Sequence, residues 1–397
     1  MKTSDFLKLN YSDLKKLSND NVRKDFSNFI KEFNRREWKV RIDSSDTFKS
    51  FKVNSKYNFK TGFNDLDRQP VPYFHPNRSF HDEIIWLNDN LFYNEKATFE
   101  DRLINSAIVK FYGPSSTLKI IVEGTDWNFV NVYEFKNNIK YTRKILDNLE
   151  LTKLNGTKIW GTTELRTSLQ TASRNYTRNN PSLIDILGTT CKKVKPTLKQ
   201  DQLIRKMRPS DMLYWILGLS DNWINFYKTK PTMKESFEFL TSHRGIGNYY
   251  GYHFSSNLAR MPEIGSQTII NIEHKDKFNL LNVEHGNLDE NANYVVAGPG
   301  ASKTFSKLFR DVPANYKTTS HAILLIRDNQ IDWFDMKSSD ELKYLEESSE
   351  LGRFTTFGIE ISMCQFSVFE SCNENYKLAA KRAKAPISIN PRKCAIT

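Results

Sequence analysis

Val22, Phe26, Phe29, Ile30 and Phe33 recur three or four residues apart, and Arg23, Lys24, Lys31, Arg35 and Arg36 fill the remaining faces. That spacing predicts an amphipathic helix. From about Val40 to His81 the pattern loosens, and Pro70, Pro72 and Pro76 interrupt it, which predicts loops and short strands running over a surface. Helices are predicted over Asp82–Phe92 and over Phe99–Phe111, the second stopped by Gly113-Pro114. The apolar, β-branched run Thr117–Glu123 reads as a short strand. Tyr141–Leu151 reads as a helix, Asn155-Gly156 as a turn and Thr162–Ser173 as another helix.

A basic, polar stretch follows, from Arg174 and Arg178 through Lys192-Lys193 to Lys206 and Arg208. It is either a solvated loop with a flanking helix or a surface that contacts phosphates. Helical signals return over Asp211–Leu219 and Asn222–Tyr227. Thr232 and Glu235 then form a capping box before Phe237, Phe239 and Leu240. A further helix over Thr356–Phe369 carries Ile359, Met363, Phe366 and Phe369 as its core stripe, and Lys377–Lys393 is a basic, frayed end.

The expected fold class is mainly α: a helix-hairpin-helix, DNA-glycosylase-like helical fold with irregular N-terminal additions and a few short strands. Residues 1–200 would form a helical and irregular N-terminal part integral to that fold, 201–375 its core, and 376–397 a basic tail.

Composition sharpens this picture in three ways. The chain has 397 residues, 39% of them hydrophobic and 27 of them Phe, enough for a sizeable core. Its 58 Lys+Arg against 46 Asp+Glu leave a formal net charge of +12, which suits a polyanionic partner without specifying one. Cys191, Cys364, Cys372 and Cys394 contain no Cys-x-x-Cys pair, so no disulfide framework or metal cluster is indicated. The start of the chain lacks an apolar run and no stretch is long enough to span a membrane, so the expected location is cytoplasmic, the host cytoplasm if the source is a virus.

Three segments carry candidate chemistry. In the first, Arg244-Gly245-Ile246-Gly247-Asn248, a capped helix ends at His243, two glycines make a tight turn around an apolar anchor, and a second helix begins. Glycine reaches backbone angles closed to other residues, and amides at a helix start can bind a DNA phosphate. Arg244, Gly245, Gly247 and Asn248 are therefore the candidate DNA-binding residues; the alternative is an ordinary helix turn.

The second segment is Gly298-Pro299-Gly300-Ala301-Ser302-Lys303-Thr304. It is not a P-loop, because Ser302 stands where that motif requires glycine before the Lys-Ser/Thr pair. A Gly-Pro-Gly turn that opens a helix with Ser302 and Lys303 in its first turn can still cradle phosphate oxygens, the alternative being a plain helix start. The third candidate is Glu360. A lone helical carboxylate is ordinarily solvated or ion-paired, but it can also act as a general base or orient an amine. The histidines show no metal-ligand spacing, and His253 lies nearest the hairpin.

At these places the chain resembles the alpha-glutamyl/putrescinyl thymine pyrophosphorylase family of phage thymine hypermodification, related to the helical domain of 5-hydroxymethyluracil DNA kinases. The resemblance rests on Arg244-Gly245-Ile246-Gly247 with Tyr250-Gly251-Tyr252-His253, on Val295–Ala301, and on Ile359-Glu360 with Cys364-Gln365-Phe366. It covers the C-terminal half well and residues 1–200 loosely. The pattern departs at Gln365, where an acidic residue is expected, and at His253, where Gln is more usual.

The resemblance implies a glycosylase-like fold acting on double-stranded DNA. A small amine, an amino acid or a polyamine, would displace pyrophosphate from 5-(pyrophosphoryloxymethyl)uracil. Gly298, Gly300, Ser302 and Lys303 would then bind the pyrophosphate, with or without a magnesium ion, and Glu360 or His253 would take the proton from the amine. A glycosylase on the same scaffold is the nearest alternative, although its catalytic Asp is missing from the Gly298-Pro299-Gly300 stretch and Asp276 and Asp289 are not securely aligned. A non-catalytic DNA-binding protein is the other alternative.

Overall fold

The computed structural model describes residues 1–43, 82–112, 116–154, 172–173, 209–267, 278, 281–336, 342 and 352–382. The expected loops over 44–81, the Gly113-Pro114 stop, the Asn155-Gly156 turn and most of the Thr162–Ser173 helix lie outside the described residues. So do the basic stretch 174–208, Asp276 and the tail beyond 382.

Helices account for most of the described chain. They are, in order, α1 (Thr3–Phe6), α2 (Tyr11–Leu17), α3 (Asp20–Asp43), α4 (Asp82–Leu87), α5 (Phe99–Tyr112), α6 (Ser116–Ile121), α7 (Val132–Asn137), α8 (Ile139–Leu154), α9 (Pro209–Gly218), α10 (Ser220–Tyr227), α11 (Met233–Ser242), α12 (Asn248–Leu258), α13 (Pro299–Leu308), α14 (Tyr316–Asp328), α15 (Gln330–Trp333) and α16 (Thr356–Arg382). A π-helical turn, Asn88–Phe92, continues α4. The mainly α expectation therefore holds. The only strand-like pairing among the described residues is one isolated parallel bridge between Gly265 and Leu288.

The strand expected over Thr117–Glu123 is instead helix α6. Thr117, Leu118, Ile121 and Val122 are buried while Lys119 is exposed, a helical period that a short β-branched run conceals. The end of the chain is helical through Arg382 rather than frayed from Lys377. Among the described residues no helix is long and apolar enough to cross a membrane.

The chain forms two compact units, Met1–Asp82 with Glu290–Thr397, and Glu83–Asp289. This division does not follow the expected boundary after residue 200.

In the second unit the core centres on Phe111 of α5. Its ring lies 5.4 Å from Phe254, 5.9 Å from Trp215 and Tyr250, and 6.1 Å from Trp223. Asp101 does two jobs at the start of α5. One oxygen closes a cap with Thr98, and the other accepts the Val132 N–H at 2.8 Å, which pins the start of α7. Arg102 pairs with Glu263 at a largely buried position. Beneath the glycine hairpin runs a directed chain of hydroxyls. Ser255 donates to the Gly251 carbonyl at 2.9 Å, so it accepts from Ser236, which in turn accepts from Tyr227.

The first unit is assembled around α16, whose residues 356–363 are buried without a break. A helix apolar on every side belongs in the interior. Phe366 meets Phe26 at 5.4 Å and Phe29 at 5.5 Å, which docks the stripe of α3 predicted from the sequence. Phe6 of α1 meets Phe305 of α13 at 5.4 Å. Arg327, near the end of α14, fixes the approach to α13. Its guanidinium donates to the carbonyls of Asn291 at 2.8 Å and Ala292 at 3.0 Å, to Thr356 Oγ1 at 3.0 Å and to Asn293 Oδ1 at 2.6 Å. A planar fork of donors can satisfy that many acceptors at once; an ammonium cannot.

Replacing Arg327 with Met should therefore lower stability by roughly 3 kcal/mol or more, since each hydrogen bond to a charged donor is worth about 1.5–3 kcal/mol. Arg327→Lys should recover only part of that. Urea unfolding of the three proteins measures the difference, and a loss below about 1 kcal/mol for Arg327→Met would contradict the role given to this residue.

Candidate active site

The two glycine segments lie in different compact units: Gly245 and Gly247 in Glu83–Asp289, Gly298 and Gly300 in the other. Each is built as a helix start.

At the hairpin, α11 opens with the predicted Thr232/Glu235 capping box and closes at the C-cap His243. The His243 ring accepts the Trp223 indole N–H on Nε2 at 3.3 Å, so its Nδ1 carries the proton donated to the Phe239 carbonyl at 2.9 Å. Gly245 sits at φ +101°, a conformation that favours glycine, and Ile246 is buried as the anchor. Gly247 is the N-cap of α12 and has no side-chain cap. A Cβ built on it would meet nothing within 4 Å, so the face outside this helix start is open. Arg244 and Asn248 beside it are exposed. His253, expected as an alternative base, is buried on α12 with its ring 4.0 Å from that of Tyr249.

The second helix start is closed rather than open, and its partner is the third candidate. Gly298 is the N-cap of α13, followed by Pro299 at the first helical position. The Gly298 N–H donates to Glu360 Oε1 at 2.9 Å. One turn further along α16, Cys364 lies against Gly300, where an added Cβ would come within 2.3 Å of Sγ and 3.1 Å of the Cys364 Cα. Glycine at 300 is thus required by the approach of α13 to α16. Ser302 Oγ lies 3.4 Å from Thr319 Oγ1, and Lys303 is exposed. Gly298, Gly300, Lys303 and Glu360 are therefore brought together, whereas His253 and the hairpin residues belong to the other unit.

Glu360 is not solvated and has no ion-pair partner among the described residues. It is 2% exposed, and its Oε2 has no hydrogen-bond partner among the described residues. Burial pushes its carboxyl up to about 7, and the single Gly298 N–H only partly offsets this. A carboxyl poised near neutrality can take up and return a proton at physiological pH. The Cys364 thiol is pushed up to about 12, first by burial and then by the nearby Glu360 charge, with Lys303 and the Gly300 N–H pulling the other way. Cys364 is therefore a protonated neighbour, not a ready nucleophile. Its place four residues after Glu360 in the sequence is the signal that links the two.

Among the described residues no group of three or more His, Cys, Asp or Glu could hold a metal ion. No family model, curated protein or solved structure matches the chain.

The raised Glu360 carboxyl predicts a definite pH dependence of stability. Between the ordinary carboxylate range and about pH 7 the folded chain holds this proton more tightly than the unfolded chain does. The stabilising contribution is complete below that window and is lost as pH rises through it. The loss is on the order of 3 kcal/mol. Glu360→Gln, which cannot titrate, should remove it, so the wild-type minus variant difference in unfolding free energy should fall between pH 4.5 and 7.5 and then level off. A difference that stays flat would mean that Glu360 titrates normally.

Proposed function

We propose that the chain modifies DNA bases: an amine displaces pyrophosphate from 5-(pyrophosphoryloxymethyl)uracil in double-stranded DNA. The observation that carries this reading is the juxtaposition of a buried carboxyl poised near neutrality with a glycine-opened helix start that bears Lys303. Its other support is the family resemblance at the hairpin, at Gly298–Lys303 and at Glu360, together with the basic charge of the chain. A helix-hairpin-helix, glycosylase-like scaffold belongs to the same proposal.

A base must leave the stack to be modified, at a cost of a few kcal/mol, so the enzyme needs a grip on the backbone. Arg244, Gly245, Gly247 and Asn248 supply that grip through the open helix start at the hairpin. The amine arrives as an ammonium ion and pairs with the Glu360 carboxylate, which takes one proton. The freed nitrogen lone pair attacks the methylene carbon on C5, the carbon–oxygen bond breaks, and pyrophosphate departs with the bonding electrons. Gly298, Gly300, Ser302 and Lys303 hold the departing group, Lys303 opposing its growing charge. Glu360 is the better candidate for the base because it lies at the Gly298 helix start, whereas His253 belongs to the other unit. Magnesium binding calls for several oxygen ligands. The one described carboxyl here is tied to Gly298 and half-protonated near pH 7, so any magnesium would be held mainly by pyrophosphate oxygens and water.

Duplex DNA carrying the pyrophosphorylated base, incubated with amino acids and polyamines and then digested for nucleoside mass spectrometry, tests the reading. Product should form at a rate that rises with pH through about 7. Glu360→Gln should slow it by roughly 10²–10⁴-fold, and Lys303→Ala by roughly 10²-fold or more. Unchanged turnover in Lys303→Ala would remove the leaving-group assignment. Abasic sites on uracil-containing or damaged duplexes would favour a glycosylase. Salt-dependent DNA binding with no product in either assay would favour a non-catalytic binding protein.

A further inference from the structure

The start of α13 differs from an ordinary anion-binding helix end, because a side chain already stands in it. Glu360 Oε1 takes the Gly298 N–H, and the Gly300 N–H faces Cys364 Sγ. Glu360 Oε2 is buried and unpartnered. An ionised carboxylate in that position would repel any second anion brought to the same amides, with little water to screen the repulsion. A protonated Oε2 reverses the sign of the contact, since it becomes a hydrogen-bond donor aimed at a phosphate oxygen.

We infer that the Gly298–Lys303 helix start admits a phosphate or pyrophosphate anion only when Glu360 is neutralised, by a proton or by the ammonium group of the amine. This rests on the reading of that helix start as the pyrophosphate site. In the reacting complex the substrate ammonium neutralises the carboxylate. After proton transfer the carboxyl is neutral in its own right, so the charge facing the anion is unchanged across the step. Without amine, the anion must bring a proton from solvent.

No other ionisable group does this work. The elements packed against α16 carry Lys303 and Lys307 on α13, Lys317, His321, Arg327 and Asp328 on α14, and, among the side chains described, Asp20, Arg23, Lys24, Asp25 and Lys31 on α3. Lys307 is held by Glu370, His321 faces the Leu9 carbonyl, Arg23 pairs with Asp20, and Lys303 acts on Cys364. Among the described residues no hydrogen bond or ion pair from any of them reaches Glu360, whose described partner is Gly298. Cys364, on its own helix, stays protonated through the neutral range.

The experiment is binding of inorganic pyrophosphate in metal-free buffer, measured by calorimetry from pH 6.5 to 8.5 on the full chain and on Glu360→Gln, with circular dichroism to confirm that the variant folds. Pyrophosphate's own titration is common to both proteins and cancels in the ratio of their dissociation constants. That ratio, wild type over variant, should rise close to tenfold per pH unit above about 7.5. Wild-type titrations at pH 8 with sulfate, an anion that does not titrate in this range, in two buffers of different ionisation enthalpy should show uptake of nearly one proton, which decides the matter even if Glu360→Gln misfolds. Binding with a flat ratio and no proton uptake overturns the inference and leaves the pyrophosphate site standing. No binding to wild type or variant at any pH overturns the inference and the leaving-group reading together.

Discussion

The contact between the Gly298 N–H and the Glu360 carboxyl is where the first unit's architecture and its chemistry meet. A helix start leaves amides without intrahelical partners, and a carboxyl set in an apolar helix interior has few donors to satisfy it. Each answers the other's deficit at 2.9 Å. The answer is partial, because Oε2 is left over, and that remainder is what makes the residue reactive rather than merely structural. Bringing the two helices close enough requires glycine at 300, where even one carbon would collide with Cys364. Holding the approach to Gly298 in place requires Arg327, whose fork ties 291–293 to the start of α16.

The hairpin unit solves a different problem with the same component. There the helix start at Gly247 faces outward with no side-chain cap, while the turn is fixed from within by Ile246 and by the Tyr227–Ser236–Ser255 hydroxyl chain. One glycine start is thus open and rigid, suited to an external anion, and the other is filled by the protein's own acid. The physical difference is whether a buried carboxyl from a distant helix reaches the amides.

Local chemistry was readable from the sequence and remote chemistry was not. The capping box at Thr232/Glu235, the turn at Gly245 and the Pro299 helix start are each written within a few residues, and each stands where the pattern puts it. Thr117–Glu123 was misread because a short apolar run serves strand and helix alike, and only burial at 117, 118, 121 and 122 separates them. Glu360 was legible as a candidate but not as a buried one, since its partner lies 62 residues away. Ile359 and Ile361 on either side of it were the hint that this stretch of the helix has no solvent face. Nothing near Arg327 marks it: a basic residue at the end of a helix reads as surface until the acceptors at 291–293 and at Thr356 are brought to it.

All of this turns on the charge state of one side chain. Carbon-13 NMR of the glutamate side-chain carboxyls, recorded across pH with Glu360→Gln to assign the resonance, reads that state directly. The account predicts a carboxyl that titrates near 7, well separated from the solvent-exposed glutamates. A Glu360 resonance that titrates in the ordinary carboxylate range would contradict it.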